Sequence, residues 1–184
     1  MPSDDAADVR LLGAPPAAPA GRIVHADLAI RIDRDGVWYY HGSPIQRKEL
    51  VCLFASALTV DEHGGYWLVT PTEMGRIDVE DVPFLAVEVF AAGQGCEQVL
   101  SLRTNVDQIV TVDADHRVFM RGDSANGEPL PYVALDRGLQ ARLIRPVFYE
   151  LVALAEEREH DGRQEVGVWS RGTWFALGPG GMER

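Results

Sequence analysis

The chain has 184 residues, 46% of them hydrophobic, so one large domain or two small ones can bury a core without cross-links. Its 28 acidic and 17 basic residues give a net charge of -11, which disfavours nucleic acids and anionic membrane surfaces as partners. The two distant cysteines, Cys52 and Cys96, and the lack of any apolar run of about 20 residues indicate a cytoplasmic protein without a disulfide framework.

The first strands are predicted to follow an N-terminal arm. Residues 1–26 are rich in Ala, Pro and Asp and lack the features of a signal peptide, so they predict a disordered or loosely attached arm. Leu28, Ile30 and Ile32 then alternate with other residues, and a turn sequence separates them from the aromatic run Trp38-Tyr39-Tyr40. This pattern predicts a β-hairpin.

A helix and several strands are predicted after the hairpin. Ser43 suits an N-cap and Pro44 suits the first helical position, and the apolar stripe of the helix would consist of Leu50, Leu53, Phe54, Ala57 and Leu58. A returning strand follows at residues 66–70. Three further strand-like runs, at 76–80, 84–91 and 97–103, predict an antiparallel meander because they leave no room for crossovers.

The second half of the sequence repeats the first. The hairpin pattern of residues 30–42 recurs 80 positions later, and the helical sequence that starts at Glu49 recurs 101 positions later, at Glu150. The difference between these offsets, 101 minus 80, locates an insertion of about 21 residues between Gly122 and Glu150. The second helix should begin near Pro146 and end at residues 161–162, before strands at 165–170 and 173–177.

These patterns predict an α+β fold of two structurally similar repeats, each an antiparallel curled sheet packed on one helix. The N-terminal repeat would span residues 27–104 and the C-terminal repeat residues 105–178, with a flexible tail at 179–184. We expect a groove between the repeats.

None of the common catalytic or metal-binding motifs is present in the sequence. Asp33-Arg34-Asp35-Gly36 has its Gly at the fourth position, whereas a calcium loop needs it at the sixth, so a hairpin turn is the better interpretation. Gly93-Gln94-Gly95 is too short for a dinucleotide fingerprint, and the five histidines lack the spacing of metal ligands. We therefore predict no catalytic residue, no metal and no cofactor.

The candidate ligand contacts are chosen from polar turns and aromatic strands. Polar residues cluster in the turn Thr70-Pro71-Thr72-Glu73 and in the next turn, where partly buried carboxylates would suit acid or base chemistry. Aromatic side chains in the second half could stack on a ligand, although core packing is the more frequent role of such residues. The candidates are Thr70, Glu73, Asp81, Arg47, Asn105, Tyr132 and Trp169.

Several long motifs, taken in order, resemble the bacterial family known as domain of unknown function 1285. The segments are DGVWYYHGSPIQRKELVCLFASAL, YWLVTPTE, IDVEDVPF, RTN, PYVALDRGLQARL, VFYELVALAEE and VGVWS. The resemblance covers about residues 27–177 and implies an α+β fold of two similar parts, with a suggested role in signal transduction and no established activity. The family pattern has a Lys where this chain has Met74, which argues against a catalytic Lys there.

Three functional hypotheses follow from this sequence. The first is a noncatalytic regulatory or adaptor module in signal transduction that binds a small ligand or a protein partner between its repeats. The alternative is an enzyme that acts on a polar metabolite, with Glu73 and Asp81 as general acid or base and Arg47 or Asn105 as helpers. The third is self-association into a homodimer through an exposed strand edge.

Overall fold

The computed structural model describes residues 22–122, 127, 129–160 and 162–180. These residues divide into two compact units, one ending at Asp81 and the other beginning at Val82. Residues 1–21 of the predicted arm and residues 181–184 of the predicted tail lie outside the described residues. Within the described residues, no helix combines the length and the apolar character that a membrane crossing requires.

The described part of the first unit folds as seven strands and one helix. Strand β7 is central, because β6 pairs antiparallel along one side of it while β1 and β2 pair with it in parallel. The strand order is β4-β3-β2-β7-β6-β5, with β1 beside β7. The elements are β1 (Ile23–His25), β2 (Ile30–Ile32), β3 (Trp38–Tyr40), β4 (Ser43–Pro44), α1 (Lys48–Ala57), β5 (Leu58–Val60), β6 (Tyr66–Val69) and β7 (Glu73–Val79).

The helix α1 begins later than the sequence predicts. Ser43 and Pro44 form β4 instead of an N-cap, because Pro44 pairs with Tyr39 and the Ile45 N–H donates to the Trp38 carbonyl at 2.7 Å. The chain is therefore still engaged in the hairpin at the predicted helix start. The predicted apolar stripe is also partly wrong, since the side chain of Leu53 is 62% exposed.

The described part of the second unit has nine strands, one α-helix and two short 3₁₀-helices, Gly95–Glu97 and Asp136–Gly138. A six-stranded sheet has the order β10-β9-β8-β13-β12-β11, and β14-β15-β16 form a separate antiparallel sheet. The helix α2 packs against β8 and β15. The elements are β8 (Phe84–Ala92), β9 (Val99–Thr104), β10 (Ile109–Thr111), β11 (Val118–Gly122), β12 (Pro129–Ala134), β13 (Gln140–Leu143), α2 (Arg145–Ala153), β14 (Glu156–His160), β15 (Arg163–Ser170) and β16 (Thr173–Pro179).

The α+β fold with two similar halves is confirmed, but its sheets are mixed rather than wholly antiparallel. Besides the parallel pairs on β7, β13 pairs in parallel with β8. The meander predicted from residue 76 to residue 103 is interrupted after its first strand, because β7 belongs to the first unit. The boundary between the units therefore lies at 81/82, not at 104/105.

The repeat is visible in hydrogen bonds at the tip of each hairpin sequence. Asp33 Oδ1 accepts from the N–H groups of Asp35 and Val37, at 2.9 Å each. Asp113 Oδ1, 80 residues later, accepts from the N–H groups of Asp115 at 3.0 Å and His116 at 2.9 Å. An aspartate at the corresponding position thus organises a short turn in both halves, although the second turn closes one residue earlier, at His116.

The insertion changes the strand pairing of the second half. β2 pairs with β3 in the first unit, whereas β10 pairs with β9 and β11 pairs with β12. The predicted second hairpin is therefore not formed as a paired hairpin. The second helix is shorter than predicted and ends at Ala153, because Glu156–His160 form β14 beside β15.

Both ends of the chain carry more strand structure than the sequence predicts. Part of the predicted arm, Ile23–His25, is β1, in register with residues 73–75 of β7. The last strand β16 includes Pro179, the first residue of the predicted tail. Pro179 pairs with Glu165 of β15. The Gly180 N–H also donates to the Gln164 carbonyl at 2.6 Å.

Candidate functional site

The first unit contains a cavity of about 310 Å³, which we call the N-unit cavity. Residues of α1, β2, β3, β6 and β7 contribute to its wall, which is mostly apolar. Glu73 is the one carboxylate among the described residues of this lining. The lining residues are Leu28, Ile30, Tyr40, Phe54, Ala57, Leu68, Thr70, Glu73, Met74 and Gly75.

A tight turn places Thr70 and Glu73 at this cavity. The Thr70 N–H donates to the Glu73 carbonyl at 2.9 Å. The Thr70 hydroxyl donates to the same carbonyl at 2.8 Å and accepts from the Glu73 N–H at 3.1 Å. These three hydrogen bonds close the turn across Pro71 and Thr72 and fix the backbone where β7 begins. Two of the seven predicted site residues are therefore brought together.

Within the described part of the chain, the Glu73 carboxylate forms one polar contact, with a histidine of the neighbouring strand β1. Glu73 Oε2 lies 2.9 Å from His25 Nε2, and the two side chains are 53% and 41% exposed. An exposed ion pair of this type contributes less than about 1 kcal/mol. Because the pair is weak and solvated, Glu73 can exchange this partner for a positively charged group on a ligand at little cost.

A glycine determines how closely the cavity wall packs. Leu28 lies over Gly75, and a Cβ atom at position 75 would stand 2.7 Å from Leu28 Cδ2, well inside van der Waals contact. The neighbouring Met74 is only 1% exposed. The position at which the family resemblance implies a Lys is thus a buried, apolar part of the wall.

The aromatic part of the wall is supported from behind by a buried tryptophan. The rings of Trp38 and Phe54 stack with centroids 6.4 Å apart and an interplanar angle of 25°. Trp38 is 1% exposed, and its Nε1 has no hydrogen-bond partner among the described residues. Since an unsatisfied buried donor costs about 1–3 kcal/mol, the burial of this large ring must outweigh that penalty.

The structure does not assemble the predicted acid and base pair. Glu73 is the first residue of β7, whereas Asp81 lies two residues beyond the end of that strand. The strand alone, six steps from Glu73 to Val79, spans about 20 Å, so Glu73 and Asp81 lie at and beyond its opposite ends. Arg47 is exposed at the N-cap of α1 and is not part of the cavity lining. The four residues of the enzyme hypothesis therefore do not converge within the first unit.

The remaining candidates belong to the second unit and have structural partners there. Asn105 Oδ1 accepts from the Leu85 N–H at 3.0 Å, and the Asn105 N–H donates to the Leu85 carbonyl at 2.8 Å. Tyr132 is 2% exposed. The central carbon of the Arg121 guanidinium lies 3.9 Å from the centre of the Tyr132 ring. Trp169 meets Trp174 edge to face, with centroids 5.3 Å apart.

Three residues at the cavity were missed as site residues by sequence reasoning. Tyr40 is 52% exposed and, two positions from buried Trp38, lies on the same face of β3. That period of two was a usable signal. Phe54 was assigned to the helix core, and His25 to the arm, where nothing in the sequence indicated a strand.

The groups with shifted pKa values are outside the lining of the N-unit cavity. Burial by itself would raise the pKa of Asp61, but hydrogen bonds from Trp67 Nε1, at 2.8 Å, and from two backbone N–H groups lower it overall. The hydrogen bond to Asp33 raises the pKa of the Tyr39 hydroxyl. These groups stabilise hairpins and indicate no reaction centre.

A second set of shifted groups surrounds His116 in the second unit. Burial lowers the pKa of His116, but hydrogen bonds to Asp136 and Asp113, both at 3.1 Å, raise it overall. The backbone N–H of His116 is the main cause of the lowered pKa of Asp113. Among the described residues, no group of three or more His, Cys, Asp and Glu side chains is arranged to hold a metal ion.

Two family models and two solved structures match the chain. Residues 21–82 match the N-terminal domain of unknown function DUF1285, and residues 83–177 match the C-terminal domain of the same protein family of unknown function. A DUF1285 family protein from Silicibacter pomeroyi DSS-3 is 40% identical with a TM-score of 0.78, and the match covers 97% of this chain and 91% of that one.

A second crystal structure, of a DUF1285 family protein from Shewanella baltica OS155, is 30% identical with a TM-score of 0.54. The match covers 68% of this chain and 91% of that one. No curated protein matches the chain. The chain belongs to the DUF1285 family, as its motifs indicate, and the boundary between the two family domains coincides closely with the division between the two compact units.

Proposed function

We propose that this DUF1285 protein is a noncatalytic regulatory or adaptor module that binds a small ligand in the N-unit cavity. The observation that carries the proposal is an apolar cavity with one accessible carboxylate, Glu73, at its edge. Its volume of about 310 Å³ lies at the lower end of the range of ligand pockets, which is about 300–1,000 Å³.

The chemistry of the wall favours a ligand with an apolar body and one positively charged group. Tyr40 and Phe54 offer aromatic surface, and aromatic faces attract both apolar groups and cations. Glu73 offers a carboxylate for an ammonium group, and Thr70 fixes its backbone. A small amine with an aromatic or aliphatic body therefore suits the cavity.

The proposal favours binding without turnover because the lining, as far as the structure describes it, contains one carboxylate and no cysteine, serine or histidine. Acid and base catalysis usually requires two groups with separated pKa values. Here the second predicted carboxylate, Asp81, lies beyond the far end of β7. A regulatory role would follow if an occupied cavity changes how the protein binds a partner.

A matched pair of probes tests this binding function. We expect phenethylamine to perturb amide NMR signals of Thr70, Glu73 and Gly75, and the neutral analogue 2-phenylethanol to bind at least about fivefold more weakly, because it lacks the charge. Glu73→Gln should remove this preference. Asp78→Asn, which removes a carboxylate on the same strand outside the lining, should keep it. Equal preference in Glu73→Gln and the native protein would contradict the proposal.

A further inference from the structure

The helix α1 is less buried than the corresponding helix α2. Ala55 is the one buried residue within α1, whereas α2 buries Val147 and Leu151. The two helices differ because α2 packs against β8 and β15, which belong to different sheets, while the main contact of α1 is with β6. All seven described strands of the first unit belong to one sheet. Within this described part, one side of α1 is therefore not covered by a second sheet.

Leu53 is the apolar residue that α1 exposes to solvent beside the N-unit cavity. It is 62% exposed. The next residue, Phe54, lines the cavity, and so does Ala57, four positions after Leu53. Residues four apart are neighbours on the surface of a helix. An exposed apolar side chain and an apolar cavity therefore lie side by side on one surface of the first unit.

The N-unit cavity can receive a leucine from another molecule. Its volume of about 310 Å³ exceeds that of a leucine side chain, and Leu28, Ile30 and Phe54 give its wall an apolar surface. Leu53 is not among the lining residues, so it does not fill the cavity of its own chain. Burial of an exposed leucine in an apolar cavity is favourable because it removes apolar surface from water on both sides.

The charges on α1 and at the cavity edge are complementary. Arg47 is exposed at the N-cap of α1, six residues before Leu53, which corresponds to about 9 Å along the helix axis. The cavity offers an apolar wall with the carboxylate of Glu73 at its edge, and this carboxylate is held only by the exposed contact to His25. A helix with an apolar side chain and a nearby cation thus matches the two kinds of surface that the cavity presents.

The closeness of Leu53 to the cavity favours a symmetric pair of molecules. Because both features lie at the same helix, a two-fold axis near α1 can place Leu53 of each copy in the cavity of the other. The two α1 helices then run antiparallel. The Arg47 end of each faces the C-terminal end of the other, where Ala57 lines the cavity. The helix dipoles favour this arrangement, since positive charge is stabilised at a helix C-terminus.

From these observations we infer that, in the absence of a small ligand, α1 of a second copy of this chain occupies the N-unit cavity. Leu53 of each copy enters the cavity of the other, and Arg47 of each pairs with Glu73 of the other. The regulatory part of this inference rests on the proposed function, because a small amine in the same cavity competes with self-association. A contact limited to one short helix and one small cavity belongs to the weak, reversible interfaces, below about 1,200 Å².

Sedimentation of the full chain between about 5 µM and 1 mM tests the self-association. We expect the average mass to rise from monomer towards dimer with concentration. Leu53→Ser should weaken the dimer at least about tenfold. Ile109→Ser, at an aliphatic residue of the second unit with 63% exposure, is the matched control and should change the dissociation constant less than about twofold. A monomer at every concentration, or equal weakening by Ile109→Ser, would overturn the inference.

A charge exchange tests the partner contact itself. Arg47→Glu and Glu73→Arg, both at exposed positions, should each weaken the dimer about tenfold, because each places like charges together. The double variant restores the opposite charges and should dimerise within about threefold of the native protein. If the two effects simply add in the double variant, Arg47 does not contact Glu73 of the partner copy and the proposed occupant is wrong.

Phenethylamine separates this inference from the proposed function. At saturation it should weaken the native dimer at least about threefold, because both occupy the cavity. If phenethylamine shifts the amide NMR signals of Thr70 and Glu73 but leaves the dimer intact, the dimer contact lies elsewhere and the inference fails, while the ligand site stands. If phenethylamine binds neither the native protein nor Leu53→Ser, yet the charge exchange restores the dimer, the self-association stands and the small-ligand function fails.

Discussion

Several side chains in this protein form two hydrogen bonds through the same oxygen atom. The Thr70 hydroxyl both donates to and accepts from the backbone of Glu73, and Asp33 Oδ1 accepts from two N–H groups. Such side chains fix loop geometry through short polar groups rather than through burial. The edge of the N-unit cavity owes its shape to one of them.

At position 75, the neighbouring Leu28 leaves no space for a side chain, so the residue is a glycine. We expect Gly75→Ala to destabilise the protein by about 1–3 kcal/mol, because the new Cβ would overlap Leu28. Urea denaturation measures this change. In the background of Leu28→Ala the same substitution should cost much less, since the obstructing atoms are gone. Additive effects of the two substitutions would show that the contact is not the cause.

His116 makes stability depend on pH near neutrality. Its pKa is raised above the ordinary value of 6.5 because the imidazolium donates to Asp113 and Asp136. A raised pKa means that the stabilisation is complete below pH 6.5 and is lost as the pH rises through the folded-state pKa.

Urea denaturation at pH 6 and at pH 8.5 should show this loss, of up to about 1 kcal/mol. The loss should be smaller in His116→Gln, which keeps a hydrogen-bonding side chain without the titration. His63→Gln, at an exposed histidine in the first unit, serves as the control. Its loss of stability between pH 6 and pH 8.5 should equal that of the native protein. An unchanged pH profile in His116→Gln would disprove the role of this residue.

At the scale of elements, one buried serine joins the two sheets of the second unit. Ser170, at the end of β15, is 0% exposed. Its hydroxyl accepts from the Leu100 N–H at 3.0 Å and donates to the Val112 carbonyl at 2.6 Å. Gln98 Nε2 adds a bond to the Trp169 carbonyl at 2.9 Å. Buried hydrogen bonds therefore attach the three-stranded sheet to β9.

Ser170→Ala should destabilise the protein by about 2–3 kcal/mol, because it leaves the Leu100 N–H and the Val112 carbonyl buried without partners. Chemical denaturation checks the value. Ser101→Ala, at a half-buried serine on β9 whose hydroxyl contacts Thr111, should cost less than about 1 kcal/mol. Equal losses in the two variants would mean that Ser170 has no special role.

The sequence is most informative about elements where the pattern is local. The first hairpin followed from alternation and a DRDG turn, and its repeat followed from the constant offset at Asp33 and Asp113. Strand β14 could not be found in this way, because Glu156–His160 contain no apolar residue and become a strand only through pairing with β15. The start of α1 was misplaced for a different reason, because a tight turn at His41 and Gly42, both with positive φ, was not recognised and makes Pro44 pair with Tyr39.

The candidate site was predictable to the same limited degree. Thr70 and Glu73, predicted as ligand contacts from the polar turn, both line the N-unit cavity, because the turn that holds them is local in sequence. Asp81 was grouped with them by position in the chain, yet an intervening extended strand separates the two turns.

At the scale of the whole molecule, the net charge of -11 makes the thermal stability of the protein depend on salt concentration. We expect the melting temperature to rise by a few degrees between about 0.02 and 0.5 M NaCl, because screening relieves repulsion among carboxylates. Scanning calorimetry checks this. Screening also weakens exposed ion pairs such as that of Arg103 with Glu88, but such pairs contribute little. A melting temperature that falls steadily with NaCl would contradict this expectation.

The parallel pairing of β2 with β7 has a consequence for the rate at which the first unit assembles. Arg31 is in register with Asp78, so the pair joins positions 47 apart, 78 minus 31. A single turn or helix forms within microseconds, whereas folds dominated by distant pairings take milliseconds to seconds. Hairpin β5–β6 and α1 should therefore appear early in refolding, and the N-unit cavity, whose wall needs β2 and β7 together, should be among the last features to form.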